Sequence, residues 1–149
     1  MTHRIDVPEV APDLFQTVMG LEAHLRGQVD PTLLELIKLR ASIINECAFC
    51  VDMHSTDAMK AGERPERLFA VAAWRESPSF TDAERAALAL TDAVTRLGAE
   101  GVPDDVWGAA TEVFDQYQLA HLVGAIAMIN FWNRMMIAVR TPPLYAVEA

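Results

Sequence analysis

Apolar residues recur along most of this chain at every third or fourth position, and strand-like alternation is scarce. Between the periodic stretches stand capping and stop residues, so the pattern predicts an all-α protein. The first helix is expected over Pro12 to about Arg26, ending at Gly27. Asp30 caps the second, with Pro31 at its first position, where a missing N–H costs nothing. That helix carries Leu33, Leu34, Ile37 and Ala41 on one stripe and should reach Ile44. Asn45 is expected to cap a third helix from about Glu46 to Ala61, stopped by Gly62. A short helix follows from Pro65 to about Arg75. Thr81 and Glu84 form a capping box for the next, which ends near Leu97 and Gly98. Pro103 to Phe114 reads as another short helix. Asp115 caps a long apolar one, which runs to about Arg140 before Pro142 and Pro143. No linker, repeat or low-complexity segment divides the chain, so residues 1–149 read as a single domain.

Composition adds an expectation about assembly. Hydrophobic residues make up 52% of the chain and charged ones 22%, an apolar balance for a small globular protein. Burial of part of that surface between subunits is the natural outcome, so a homo-oligomer is expected. The net charge of −9 excludes nucleic acid as an expected partner and disfavours adhesion to anionic membranes. The N-terminal MTHRIDVPEVAPD is polar and carries no apolar secretory core. The apolar run Leu122 to Ile129 is too short to span a bilayer and is closed by Asn130. These features predict a cytoplasmic protein, whose cysteines are mostly reduced and whose disulfides are transient.

Cysteine occurs only at Cys47 and Cys50, as Cys-Ala-Phe-Cys, with His54 one helical turn further on. On a helix these three side chains share a stripe, with both sulfurs in the first turn. Sulfurs at this spacing can close a disulfide, and unpaired N–H groups at a helix start stabilise a thiolate. His54 can carry a proton to or from the sulfur. Competing readings are an inert buried pair, a structural disulfide and a zinc site. The disulfide would enclose only two residues and constrain the unfolded chain little. Zinc would need a fourth ligand, and His3, His24 and His121 are scattered singly. No metal or cofactor is therefore expected. Read without context, Glu35 is a solvated carboxylate near a helix start. Asn130, Asn133 and Arg134 interrupt the final helix and read as polar groups satisfying backbone or subunit contacts. His121 reads as a core or interface histidine, and Met128, Met135 and Met136 as packing residues.

The segment from Glu35 to Ala61 resembles the signature of the alkylhydroperoxidase D-like branch of the carboxymuconolactone decarboxylase family. There a glutamate precedes the first cysteine by twelve residues and a histidine follows the second by four, as Glu35, Cys47, Cys50 and His54 do here. Ile129-Asn130-Phe131-Trp132-Asn133-Arg134 also resembles a recurrent segment of that branch. The resemblance implies a helical domain assembled into trimers or hexamers, acting as an antioxidant thiol peroxidase. By position it implies Cys50 as the peroxidatic thiolate, Cys47 as the resolving thiol, and Glu35 and His54 as the proton relay. Its implied partners are a hydroperoxide and a dithiol reductant of lipoyl or thioredoxin-like type. The better-characterised members carry a histidine between the cysteines where this chain has Phe49, which removes one group from the relay. The alternatives from the residues themselves are a thiol–disulfide oxidoreductase with little peroxidase activity, or a non-catalytic redox-sensing or zinc-binding module.

Overall fold

The computed structural model describes residues 2–145, and its regular elements are helices. These are α1 (Val7–Val10), α2 (Pro12–Arg26), α3 (Pro31–Ile44), α4 (Ala48–Lys60), α5 (Pro65–Ala70), α6 (Asp82–Thr95), α7 (Asp104–Thr111) and α8 (Gln116–Val139), with a 3₁₀ turn over Val71–Ala73 after α5. The caps form as the sequence predicts. Asp30 accepts from the Leu33 N–H, and Thr81 with Glu84 and Asp115 with Gln118 close capping boxes.

Helix α3 is the hub. It packs against α4, α6 and α8, and every residue from Leu34 to Ser42 is buried. One side of it, with Leu34 and Ile37, joins α6, α7 and α8 in a core that includes Leu90, Leu122 and Ile126. Another side, with Leu36 and Leu39, meets α4, Leu68, Trp74 and Leu88. Helix α8 is long and apolar enough, by length and composition, to cross a membrane, although its continuous apolar run is short. Here it is a core helix, packed against α2, α3, α4, α6 and α7.

Several boundaries depart from the sequence reading, among them the end of α7, at Thr111 rather than Phe114. Helix α4 starts at Ala48 rather than Glu46, because Glu46 is left-handed (φ 58°) and cannot continue a helix. Asn45 accordingly ends α3 instead of capping α4. Helix α5 gives way to the 3₁₀ turn at Val71, well before Arg75. There the Arg40 guanidinium donates to the carbonyls of Val71 and Ala72, at 3.4 and 3.0 Å, drawing them away from a continuing α-ladder. Helix α1 was not expected. Asp6 caps it by accepting from the Glu9 N–H, and Arg4 anchors the preceding chain to the Ala138 and Val139 carbonyls at the end of α8.

Candidate redox site

The turn between α3 and α4 sets both cysteines. The Glu46 N–H bonds to the Ile43 carbonyl at 3.2 Å, and the Cys47 N–H to the Ser42 carbonyl at 3.0 Å. With Glu46 left-handed between them, this is a Schellman ending of α3. Its last residue, Cys47, is at once the N-cap of α4. Cys50 is then the third residue of α4, so one sulfur stands at the cap and the other in the first turn, rather than both within the helix. The two are joined as a disulfide with their Cα atoms 5.3 Å apart, and both residues are buried. Cys50 stands in the first turn of α4, where unpaired backbone N–H groups favour a thiolate.

Glu35 is not a solvated carboxylate. It is buried, and its Oε2 lies 2.8 Å from Nδ1 of buried His54. Its Oε1 accepts from Arg26 at 3.0 Å, and Arg26 also lies 3.5 Å from Glu22. Glu22 in turn pairs with Lys38, which is only 2% exposed, and accepts from the Trp132 indole N–H at 3.3 Å. Burial would raise the Glu35 pKa. The His54 hydrogen bond and the charges of His54, Lys38 and Arg26 outweigh it and hold the carboxyl below its ordinary value of 4.5. An ionised Glu35 accepts the Nδ1 proton, which leaves Nε2 as the basic nitrogen of His54. Glu35 is thus held by the imidazole on one side and by Arg26 on the other, and His54 lines the same cavity as Cys50.

A cavity of about 430 Å³ opens beside this network. Cys50, His54 and the Glu22–Lys38 pair line it, while Phe15, Phe49, Met53, Trp132 and Met136 make most of its wall apolar. The N-terminal segment before and through α1 closes one side with Ile5 and Val7. Cys47 is not among the lining residues, so a small molecule entering the cavity meets Cys50. A second, more polar hollow of about 130 Å³ borders Glu35, between Thr32, Ala61 and Glu63.

All four residues singled out in the sequence, Glu35, Cys47, Cys50 and His54, thus come together. Sequence reasoning missed Glu22, Arg26 and Lys38. The available signal was Lys38 itself, a charge in the middle of a helix whose neighbours Leu36, Ile37 and Leu39 are apolar. Asn130 and Asn133 are buried polar groups, as expected, and bond to Asn45, Ser42 and Thr95. His121 lies half-buried, with Nδ1 2.8 Å from the Tyr117 carbonyl and its ring 5.5 Å from that of His24.

Comparison with known proteins follows the same lines. The carboxymuconolactone decarboxylase family model matches residues 12–93. The uncharacterized protein YdfG of Bacillus subtilis is 38% identical over 139 residues, 93% of this chain and 95% of that protein. A crystal structure from Agrobacterium tumefaciens, of a protein of unknown function provisionally assigned as the antioxidant defence protein AhpD, superposes with a TM-score of 0.93. It is 38% identical, with 99% of this chain and all of that one covered. The debrominase Bmp8, solved as a cysteine-to-alanine variant in complex with 2,3,4-tribromopyrrole, shares the fold at a TM-score of 0.82 and 20% identity, over 91% of this chain and 73% of that one.

Proposed function

The chain belongs to the carboxymuconolactone decarboxylase family, in its alkylhydroperoxidase D-like branch, and on that premise we propose that it is a thiol peroxidase that reduces hydroperoxides. The observation that carries this reading is that Cys50 lines an apolar cavity beside a histidine whose Nδ1 is bonded to a buried carboxylate.

In this reading the Cys50 thiolate attacks the terminal oxygen of R–O–OH. The O–O bond breaks, its electron pair leaves with the alkoxide, and His54 supplies the proton that makes the alcohol. Cys50 is now a sulfenic acid. The Cys47 thiolate attacks that sulfur, hydroxide leaves and is protonated to water, and the Cys47–Cys50 disulfide forms. A dithiol reductant, of lipoyl or thioredoxin-like type, then returns both cysteines to thiols and is itself oxidised to a disulfide. Glu35 fixes the His54 tautomer and steadies its positive form, and the polar hollow bordering Glu35 is the relay's exchange with bulk water. Phe49 in place of a histidine leaves the whole relay to Glu35 and His54. We place this chemistry in a single-domain, cytoplasmic protein that works as a homo-oligomer, a trimer or hexamer.

The test is intact-protein mass spectrometry before and after a stoichiometric hydroperoxide pulse. The reduced protein should lose two hydrogens, and a Cys47→Ser variant should give a dimedone adduct on Cys50. If peroxide changes neither protein while the dithiol still cycles with disulfide reagents, the peroxidase reading is wrong and a thiol–disulfide oxidoreductase takes its place.

A further inference from the structure

Peroxide reduction as derived uses neither amide of the Ile129–Arg134 segment, yet both are tied to the cysteine turn from below. Asn45 Nδ2 donates to Asn130 Oδ1 and to Asn133 Oδ1, each at 2.9 Å. Asn133 Nδ2 donates at 3.0 Å to Ser42 Oγ, and the Ser42 carbonyl is the acceptor of the Cys47 N–H. Asn130 Nδ2 is taken up by Thr95 Oγ1 and the Ile126 carbonyl, at 3.0 and 2.9 Å, so its oxygen must face Asn45. Arg134 donates to that same oxygen at 2.9 Å. Asn133 is wholly buried and Asn130 nearly so. Core helix α8 therefore grips the residues two and five positions before Cys47, on either side of the point where α3 ends.

That turn is where Cys47 can be lost to Cys50. Cys50 sits inside the first turn of α4 and follows that helix, whereas Cys47 is an N-cap with no side-chain hydrogen bond of its own. Its predecessor Glu46 is left-handed, a conformation an L-residue holds only when its surroundings insist. Closing a disulfide needs the two Cα atoms within a narrow range of separation, and the observed 5.3 Å lies inside it. Any fraying of the turn lowers the effective concentration of one sulfur at the other.

We propose that Asn45, Asn130 and Asn133 form a clamp that positions Cys47 for closure onto Cys50, and so sets the rate of resolution without setting the rate of peroxide attack. The division into those two steps rests on the peroxidase reading; the positioning itself does not. These are positioning residues, since none of them lines the cavity that Cys50 faces.

The experiment uses the whole protein with Asn45→Ala and, separately, Asn45→Asp, which keeps the shape but donates no hydrogen bond. Asn45 is half-buried, so neither change opens the core. Reduced protein is mixed with cumene hydroperoxide and dimedone and quenched at successive times for mass spectrometry. Loss of the Cys50 thiol should stay within about twofold of wild type, while disulfide appears about tenfold more slowly and the Cys50–dimedone adduct grows, the scale set by the hydrogen bonds removed. Equilibration in glutathione buffers gives a reading free of peroxide chemistry. There both variants should hold about tenfold more Cys50–glutathione mixed disulfide relative to the internal disulfide. A wild-type glutathione partition in both variants, whatever the peroxide steps do, would overturn the clamp. A shifted partition with no sulfenic acid in any protein, Cys47→Ser included, would uphold the clamp and overturn the peroxidase reading alone.

Discussion

At the scale of single residues, Glu46 holds a backbone conformation that its side chain disfavours. Its left-handed backbone (φ 58°) costs an L-residue about 1–2 kcal/mol, and its side chain is exposed and gives little in return. Glycine, the usual occupant of this place in a Schellman ending, removes the steric cost while adding about 0.4–1 kcal/mol of unfolded-state entropy. Glu46→Gly should therefore stabilise the protein by about 1 kcal/mol, seen as a rise of about 2–4 °C in melting temperature. His54 and Glu35 make a second residue-scale case, because the imidazole lines the cavity with Cys50 and its Nδ1 is bonded to the carboxylate. Glu35→Gln can still accept from Nδ1 but no longer balances a positive imidazole. The variant should show the Cys50 thiol titrating at higher pH, followed by iodoacetamide alkylation, and a slower peroxide reaction. His54→Ala should slow that reaction by about a hundredfold or more. An unchanged alkylation profile in Glu35→Gln would remove Glu35 from the relay.

At the scale of elements, α3 explains both the fold and the site. It is buried on all sides, yet carries Glu35, Lys38 and Arg40, each neutralised by a different neighbour: His54 with Arg26, Glu22, and Asp92. Removing one member of such a pair leaves the other buried and uncompensated, at about 3–5 kcal/mol. Glu22→Ala should thus destabilise the protein by that amount in urea titration, while Glu22→Leu with Lys38→Met should recover most of the loss. Helix ends were legible because Asp30, Thr81 and Asp115 act locally, within one turn of chain. Cys47, Cys50 and His54 were legible for a related reason, since they lie within two turns of chain, whereas Glu35 read as a solvated carboxylate on its own and was singled out only by the family resemblance. What escaped depends on contacts distant in sequence. Glu22 and Arg26 reach the site only because α2 packs on α8 and brings them over Lys38 and Glu35. The start of α4 was misplaced because Asn45, a good N-cap by type, spends its side chain on Asn130 and Asn133 more than eighty residues away. Nor does local periodicity announce α1, a four-residue helix that packs on α2 and puts Val7 and Pro8 in the cavity wall.

For the molecule as a whole, the ion pairs that tie helices together also decide how it meets acid. Glu35 is buried and Glu84 and Asp92 partly so, which would raise their pKa values, and each is held below its ordinary value by its partners. His54, Lys38 and Arg26 do this for Glu35, Arg67 and Thr81 for Glu84, and Arg40 and Arg75 for Asp92. These contacts join α2 to α3 and α4, the segment around α5 to α6, and α3 to α6. A carboxylate with a depressed native pKa contributes its stability in full above the unfolded value, 4.5 for the glutamates and 3.8 for the aspartate. The contribution is lost as pH falls through the lower native value, because protonation then breaks the pair. Stability should therefore hold from neutral pH to about 4.5 and fall steeply below it, measured as the urea midpoint from neutral pH to about 3. The same linkage fixes how Asp92→Asn should behave. It should be less stable than the wild type by a constant margin in the neutral range, and the margin should close only below about 3.8, where the wild type loses the same charge. A margin that instead closed with added salt at neutral pH would mean that the Arg40 and Arg75 pairs act as screened surface charges rather than as the bond between α3 and α6.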